Sequence, residues 1–149
     1  MRKKLMRYVC ILMAVLAVAG CKKAPLYDAV EQHWLLEEFT VLETQETVVC
    51  ERLFYSITRM VTVLEEKQGP HGYAALVART SYGEDRRTLV LSDFRMQAET
   101  SDSGEEVTVD RLLPFGIDNP VETVFRIVLV DGKQLVLESD YARLTFKKF

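Results

Sequence analysis

The chain has 149 residues, 48% hydrophobic and 28% charged, with a formal net charge of −3. That length bounds one domain with enough chain to bury a core. The acidic balance argues against a nucleic-acid partner, whose phosphates demand a basic face.

The first segment is basic and then apolar. Arg2, Lys3, Lys4 and Arg7 precede Tyr8–Ala19, an unbroken apolar and small-residue run. A spanning helix needs roughly 20 such residues, so this run reads as a signal peptide over 1–20 rather than a permanent span. Val18-Ala19-Gly20-Cys21 resembles the lipobox of bacterial lipoproteins. The resemblance implies cleavage before Cys21 and palmitate-type acyl chains on that cysteine, several chains giving stable anchoring where one holds weakly. Lys22, in place of an aspartate, implies passage to the outer membrane. With no acidic cluster after Cys21, the periplasmic face is expected, surface display remaining open. Removing the signal leaves fifteen cations against twenty-two acids. That net charge near −7 argues against a polybasic grip on lipid and leaves the acyl chains as the membrane contact. Cys10 departs with the signal and Cys21 is modified, so Cys50 has no partner in the chain and reads as a small buried hydrophobe.

Residues 21–30 read as a lipidated tether, with a helical turn around Tyr27–Gln32, and 31–149 as the folded domain. From there β-branched and aromatic runs alternate with Gly, Asp, Asn and Pro clusters, the all-β pattern. Strands are predicted at Trp34–Leu42, Val48–Ile57, Arg59–Glu66, Tyr73–Thr80, Arg87–Ser92, Phe94–Glu99, Glu106–Leu112, Val121–Val130, Gln134–Ser139 and Ala142–Lys148. Leu53, Ile57, Met60 or Val61, and Leu64 also fit helical spacing, but the β-branched content of Cys50–Glu66 favours strand. Asp131-Gly132 predicts a two-residue hairpin turn with positive φ angles. Period-two alternation then puts Phe125, Ile127 and Leu129 on one face, with Leu135, Leu137, Leu144 and Phe146, and turns Arg126, Glu138 and Arg143 away.

Eight to ten short antiparallel strands leave edges that closure into a barrel removes, and about eight strands make the smallest barrel able to hold one small ligand. His33-Trp34-Leu35-Leu36, Leu112-Leu113-Pro114-Phe115-Gly116-Ile117, Phe125-Arg126-Ile127, Leu135–Ser139 and the ending Arg143–Phe149 together resemble the small bacterial lipocalin-like lipoproteins. The resemblance implies an up-and-down β-barrel of about eight strands with Trp34 plugging one end and Arg143 packing across it.

Chemistry is sparse. His33 and His71 sit in no nucleophile-and-base motif, and one internal cysteine with two histidines cannot supply four zinc ligands. Glu37-Glu38, Glu65-Glu66 and Glu105-Glu106 are adjacent pairs, which on a strand point to opposite faces. No enzyme activity, cofactor or metal is expected. Tyr55, Tyr73, Phe94, Phe125 and Ile127, with Leu89, Leu91, Leu129 and Leu137, are the inward candidates. They could line a pocket for a small hydrophobic or amphipathic ligand, oriented by tyrosine hydroxyls and Arg59. The same residues could instead fill the interior, leaving an outer face for an envelope protein partner.

Overall fold

The computed structural model describes residues 26–97 and 104–149. The signal peptide and Cys21 lie outside the described residues. A short helix α1 (Leu26–Val30) precedes eight strands: β1 (His33–Val41), β2 (Thr47–Ile57), β3 (Val61–Glu66), β4 (Leu76–Tyr82), β5 (Thr88–Met96), β6 (Glu122–Val130), β7 (Gln134–Glu138) and β8 (Ala142–Lys148). Each strand pairs antiparallel with the next, and β8 returns to β1 with Trp34 opposite Lys148 and Thr40 opposite Arg143. The sheet is therefore a closed barrel in meander order. Cys50–Glu66 is strand, turn and strand, as its β-branched side chains favour.

Alternation builds the core. Trp34, Leu36, Tyr55, Leu64, Leu89, Leu91, Phe125, Leu135, Leu137, Leu144 and Phe146 all face inward and have no accessible surface. Thr62 and Thr80, also inward, satisfy one another through their hydroxyls at 2.8 Å. Phe54 is equally buried but on the outer wall, stacked on the His33 ring and covered edge-on by Phe149.

Where the alternation slips, the sequence reading fails. Arg87–Ser92 and Phe94–Glu99 are one strand, β5, because an irregularity in its pairing with β4 changes the inward phase from Leu89 and Leu91 to Phe94. Asp93 adopts φ 51° there, and Arg52 adopts φ 57° in the irregular part of β2. Such bulges add local twist and bend. A third shift between Ile127 and Leu129 turns Leu129 out of the predicted face and leaves it 42% exposed. The Asp131-Gly132 link does form a hairpin, but not by positive φ at Gly132. The Asp131 carboxylate instead accepts from the Lys133 and Gln134 N–H groups, which holds its pKa below the ordinary value. β4 starts at Leu76 rather than Tyr73.

The predicted strand Glu106–Leu112 is absent. Only Glu106 makes a bridge, to Arg95, after which the chain forms a helical turn α2 (Val109–Leu112) and a 3-10 turn (Leu113–Phe115). Pro114 has no N–H to give a ladder, and Leu112 and Phe115, three apart, share the buried side.

The connections divide between two ends. At the α1 end lie α1 and the β2–β3, β4–β5 and β6–β7 turns; at the other lie the β1–β2, β3–β4, β5–β6 and β7–β8 connections. Trp34 closes the first end, its indole N–H donating to the Val30 carbonyl at 2.8 Å. Arg143 does not pack across it. The β1–β8 register puts Arg143 opposite Thr40, facing outward, where it pairs with Glu138. Replacing Trp34 by Phe removes that hydrogen bond and part of the buried ring. Urea unfolding is expected to show a loss of about 1–3 kcal/mol; an unchanged midpoint would mean that α1 does not depend on the indole.

Candidate functional site

The second end is closed by chain that belongs to no strand. Leu112, Phe115 and Ile117, all from the β5–β6 connection, have no accessible surface and join the strand-borne core. This plug is held at two points. The Tyr55 hydroxyl, from β2, donates to the Phe115 carbonyl at 2.6 Å; full burial pushes that phenol well above its ordinary pKa, so it remains a donor. Gly116 follows with φ 77°, and a Cβ there would stand 3.1 Å from Phe39 and 3.2 Å from Leu144. Only glycine suits both the left-handed backbone and the close approach.

Glu66 organises the rim. It lies in the inward phase of β3, after Thr62 and Leu64, and its side chain is 2% exposed. Desolvation alone would raise its pKa, but the main-chain N–H donors of His71 and Tyr73, aided by the His71 ring, outweigh that and hold it below the ordinary 4.5. The β3–β4 connection is thereby folded over the opening, with His71 stacked on Tyr73 at 4.8 Å and Tyr73 tilted against Phe115 at 6.2 Å. Between this connection and the plug runs an open cleft of about 280 Å³, lined by Gly72, Tyr73, Ala74, Asp110, Arg111 and Pro114.

The sequence-predicted ligand residues separate. Tyr55, Phe94, Phe125 and Ile127 are interior. Tyr73 is on the rim, 37% exposed. Arg59 stands in the β2–β3 turn at the opposite end, exposed and remote from Tyr73. Interior space is the deciding quantity. A void able to admit water would leave its lining side chains some accessible surface, and the central ones have none. Larger clefts lie outside the barrel. The one of about 570 Å³ crosses the outer wall of β5–β7, where Arg126 and Glu138 are already paired. Sequence reasoning gave no role to Phe115, Gly116, Glu66 or Arg111. The period of β3 could have identified Glu66 as inward; nothing local marks Phe115 as a partner of Tyr55.

Two features bear on chemistry. The His33 Nδ1 lies 2.5 Å from the Ser56 Oγ, and Lys67 Nζ lies 3.4 Å from Nε2. An ammonium only donates, so Nε2 accepts, Nδ1 carries the proton, and His33 donates to the serine rather than activating it. Burial and Lys67 both lower the His33 pKa. Cys50 is half-buried; desolvation, with Glu38 nearby, pushes its thiol up to about 12.

The lipocalin-like domain family matches residues 14–149. A lipocalin-like protein from Bacteroides uniformis has a crystal structure similar to this one with a TM-score of 0.59 at 13% identity, covering 81% of this chain and 99% of that one. An uncharacterized protein from Bacteroides eggerthii gives a TM-score of 0.59 at 14% identity, covering 79% and 98%. At such identity the likeness is one of fold. No curated protein matches the chain.

Gly116→Ala is expected to destabilise by about 1–3 kcal/mol through overpacking and backbone strain, read as a lowered denaturation midpoint. Glu66, with a depressed folded pKa, contributes stability present above about pH 4.5 and lost as pH falls through the folded value. Glu66→Gln should therefore flatten the acid limb of a stability-versus-pH curve; an unaltered limb would remove Glu66 from the rim's acid response.

Proposed function

Since the chain belongs to the lipocalin-like domain family, we propose that it is a lipid-anchored, non-enzymatic protein of the bacterial envelope that captures a small hydrophobic or amphipathic ligand at its plugged end. The anchor is Cys21, and the expected location is the periplasmic face of the outer membrane. One observation carries the ligand reading: part of the apolar interior is filled by a connection rather than by strands. Leu112, Phe115 and Ile117 act as an internal ligand that an external one replaces.

The magnitudes limit what can compete. Exposing three large apolar side chains costs about 1.5–3 kcal/mol each, so the plug holds its place by roughly 5–9 kcal/mol, less what it recovers by packing elsewhere. At about 25 cal/mol per Å² of apolar surface buried, a ligand needs on the order of 200–350 Å² to match that, the size of an acyl chain rather than a metabolite. Arg111 beside the cleft suits an acidic head group, with Tyr73 covering the first part of the tail.

The second reading is a solid barrel that meets an envelope protein, favoured by the absence of accessible surface on the central side chains. Phe115→Ala separates the two. Under exchange it lowers stability by about 3–5 kcal/mol yet tightens binding of long-chain amphiphiles, because less must be displaced. Thermal shifts against fatty acids and lysophospholipids, with mass spectrometry of organic extracts, read both. An empty extract and no shift in either the parent or Phe115→Ala would favour the solid barrel. For the anchor, Cys21→Ala is expected to move the protein from the membrane to the soluble fraction with the fold intact; retention in the membrane would refute it.

A further inference from the structure

Charge is distributed unevenly along the barrel axis. The connections at the plugged end carry Glu43 and Glu46, then Glu105, Glu106, Asp110 and Asp118, then Asp140, against Arg111 and Lys67, whose ammonium reaches along the wall to His33. The α1 end carries Arg59, Arg86, Arg87 and Lys133 in its turns, with Lys147 and Lys148 closing β8. Of its five acids, Asp85 accepts from the Arg87 N–H and the Thr88 hydroxyl, Asp131 from the Lys133 and Gln134 N–H groups, and Glu31 from the Tyr82 hydroxyl, while Asp28 and Glu84 are exposed. The six cations outnumber these five acids, of which three are already occupied by hydrogen bonds. Two apolar side chains stand out among them, Met60 at 73% and Phe149 at 69% exposed.

The same end receives the N-terminal segment. Tyr27 packs against the Tyr82 ring at 4.0 Å, and its hydroxyl donates to the Gly83 carbonyl, fixing α1 over the β4–β5 turn. From Cys21 to Leu26 are five residues, which extend at most about 18 Å. The barrel is longer: a nine-residue strand such as β1 spans about 26 Å from first residue to last, or about 20 Å along an axis tilted by roughly 40°, before the connections at either end are added. A chain anchored at Cys21 cannot bring the plugged end to the membrane without first detaching α1.

We infer that the α1 end is a docking face for an anionic phospholipid surface, with Met60 and Phe149 at the head-group level and the cations around them. The inference rests on the Cys21 anchor proposed above and adds the face that the anchor presents. The acidic plugged end then points into the aqueous space, beyond the Debye length of about 8 Å at physiological salt, where its charge is not repelled by the bilayer. Total charge hides this, because the acid excess sits at the end that the tether keeps away.

The test uses the full chain, expressed with its own N-terminal segment and reconstituted into phosphatidylcholine vesicles containing phosphatidylglycerol, with bromine-labelled acyl chains as quenchers. Trp34, the one native tryptophan, is buried and gives a constant background. In Met60→Trp, emission is expected to be quenched at least threefold more than in Val121→Trp, whose exposed site is at the plugged end. Lys147→Glu with Lys148→Glu should abolish the difference while flotation with vesicles persists. Equal quenching at the two sites, or stronger quenching at position 121, on vesicles that the protein floats with, overturns the face. Failure of the parent to float, or flotation of Cys21→Ala with vesicles of phosphatidylcholine alone, instead overturns the anchor and is read independently of the quenching.

Discussion

The ladder between β1 and β8 is the contact on which the rest depends. Without it the eight strands form a curled sheet with two unpaired edges and an apolar face open to water. With it there is no edge to protect, and the only places where the interior can meet solvent are the two ends. Every inward position is then committed to burial by geometry. The run of side chains without accessible surface, from Trp34 to Phe146, is the result.

The two closures differ in kind. At the α1 end the seal is local in sequence: Trp34 bonds to Val30, four residues away, and α1 reaches across to Tyr82 and Gly83. At the other end a helical turn enters the barrel from a long connection and is held by Tyr55, sixty residues from Phe115. The first seal ties α1 to the barrel, and in the proposed reading it must stay shut for the anchor to position the body. The second lies beside an open cleft, the place where the proposed ligand exchange would occur. In the functional reading, anchoring and capture are assigned to opposite ends of one rigid tube.

Most of the barrel was legible because a closed sheet with a packed interior enforces period-two alternation over whole strands. β8 is found at the predicted Ala142–Lys148, and Arg126 lies opposite Glu138 on the outer wall as alternation requires. The failures fall where a bulge changes the phase, at Asp93 and between Ile127 and Leu129, or where a segment that ends in a helical turn mimics alternation, at Glu106–Leu112. The site was only half legible. Alternation alone places Tyr55, Phe94, Phe125 and Ile127 inside, but whether an interior is hollow depends on what else enters it. That was decided by a connection whose packing has no local pattern. Arg59, expected to orient a ligand, sits in a turn at the far end, since residue type says nothing about which end of a barrel a turn belongs to.

Cys50 is the lone thiol among the described residues, half-sunk in the wall with its pKa near 12. Disulfide exchange proceeds through the thiolate, and at neutral pH that form is on the order of 3,000-fold scarcer here than in an ordinary cysteine of pKa about 8.5. In the oxidising compartment that the proposed location implies, an unpaired sulfur ordinarily invites covalent dimers and mixed disulfides. Desolvation makes this one a slow partner for both, so the barrel can keep a cysteine without a bridge and remain chemically single.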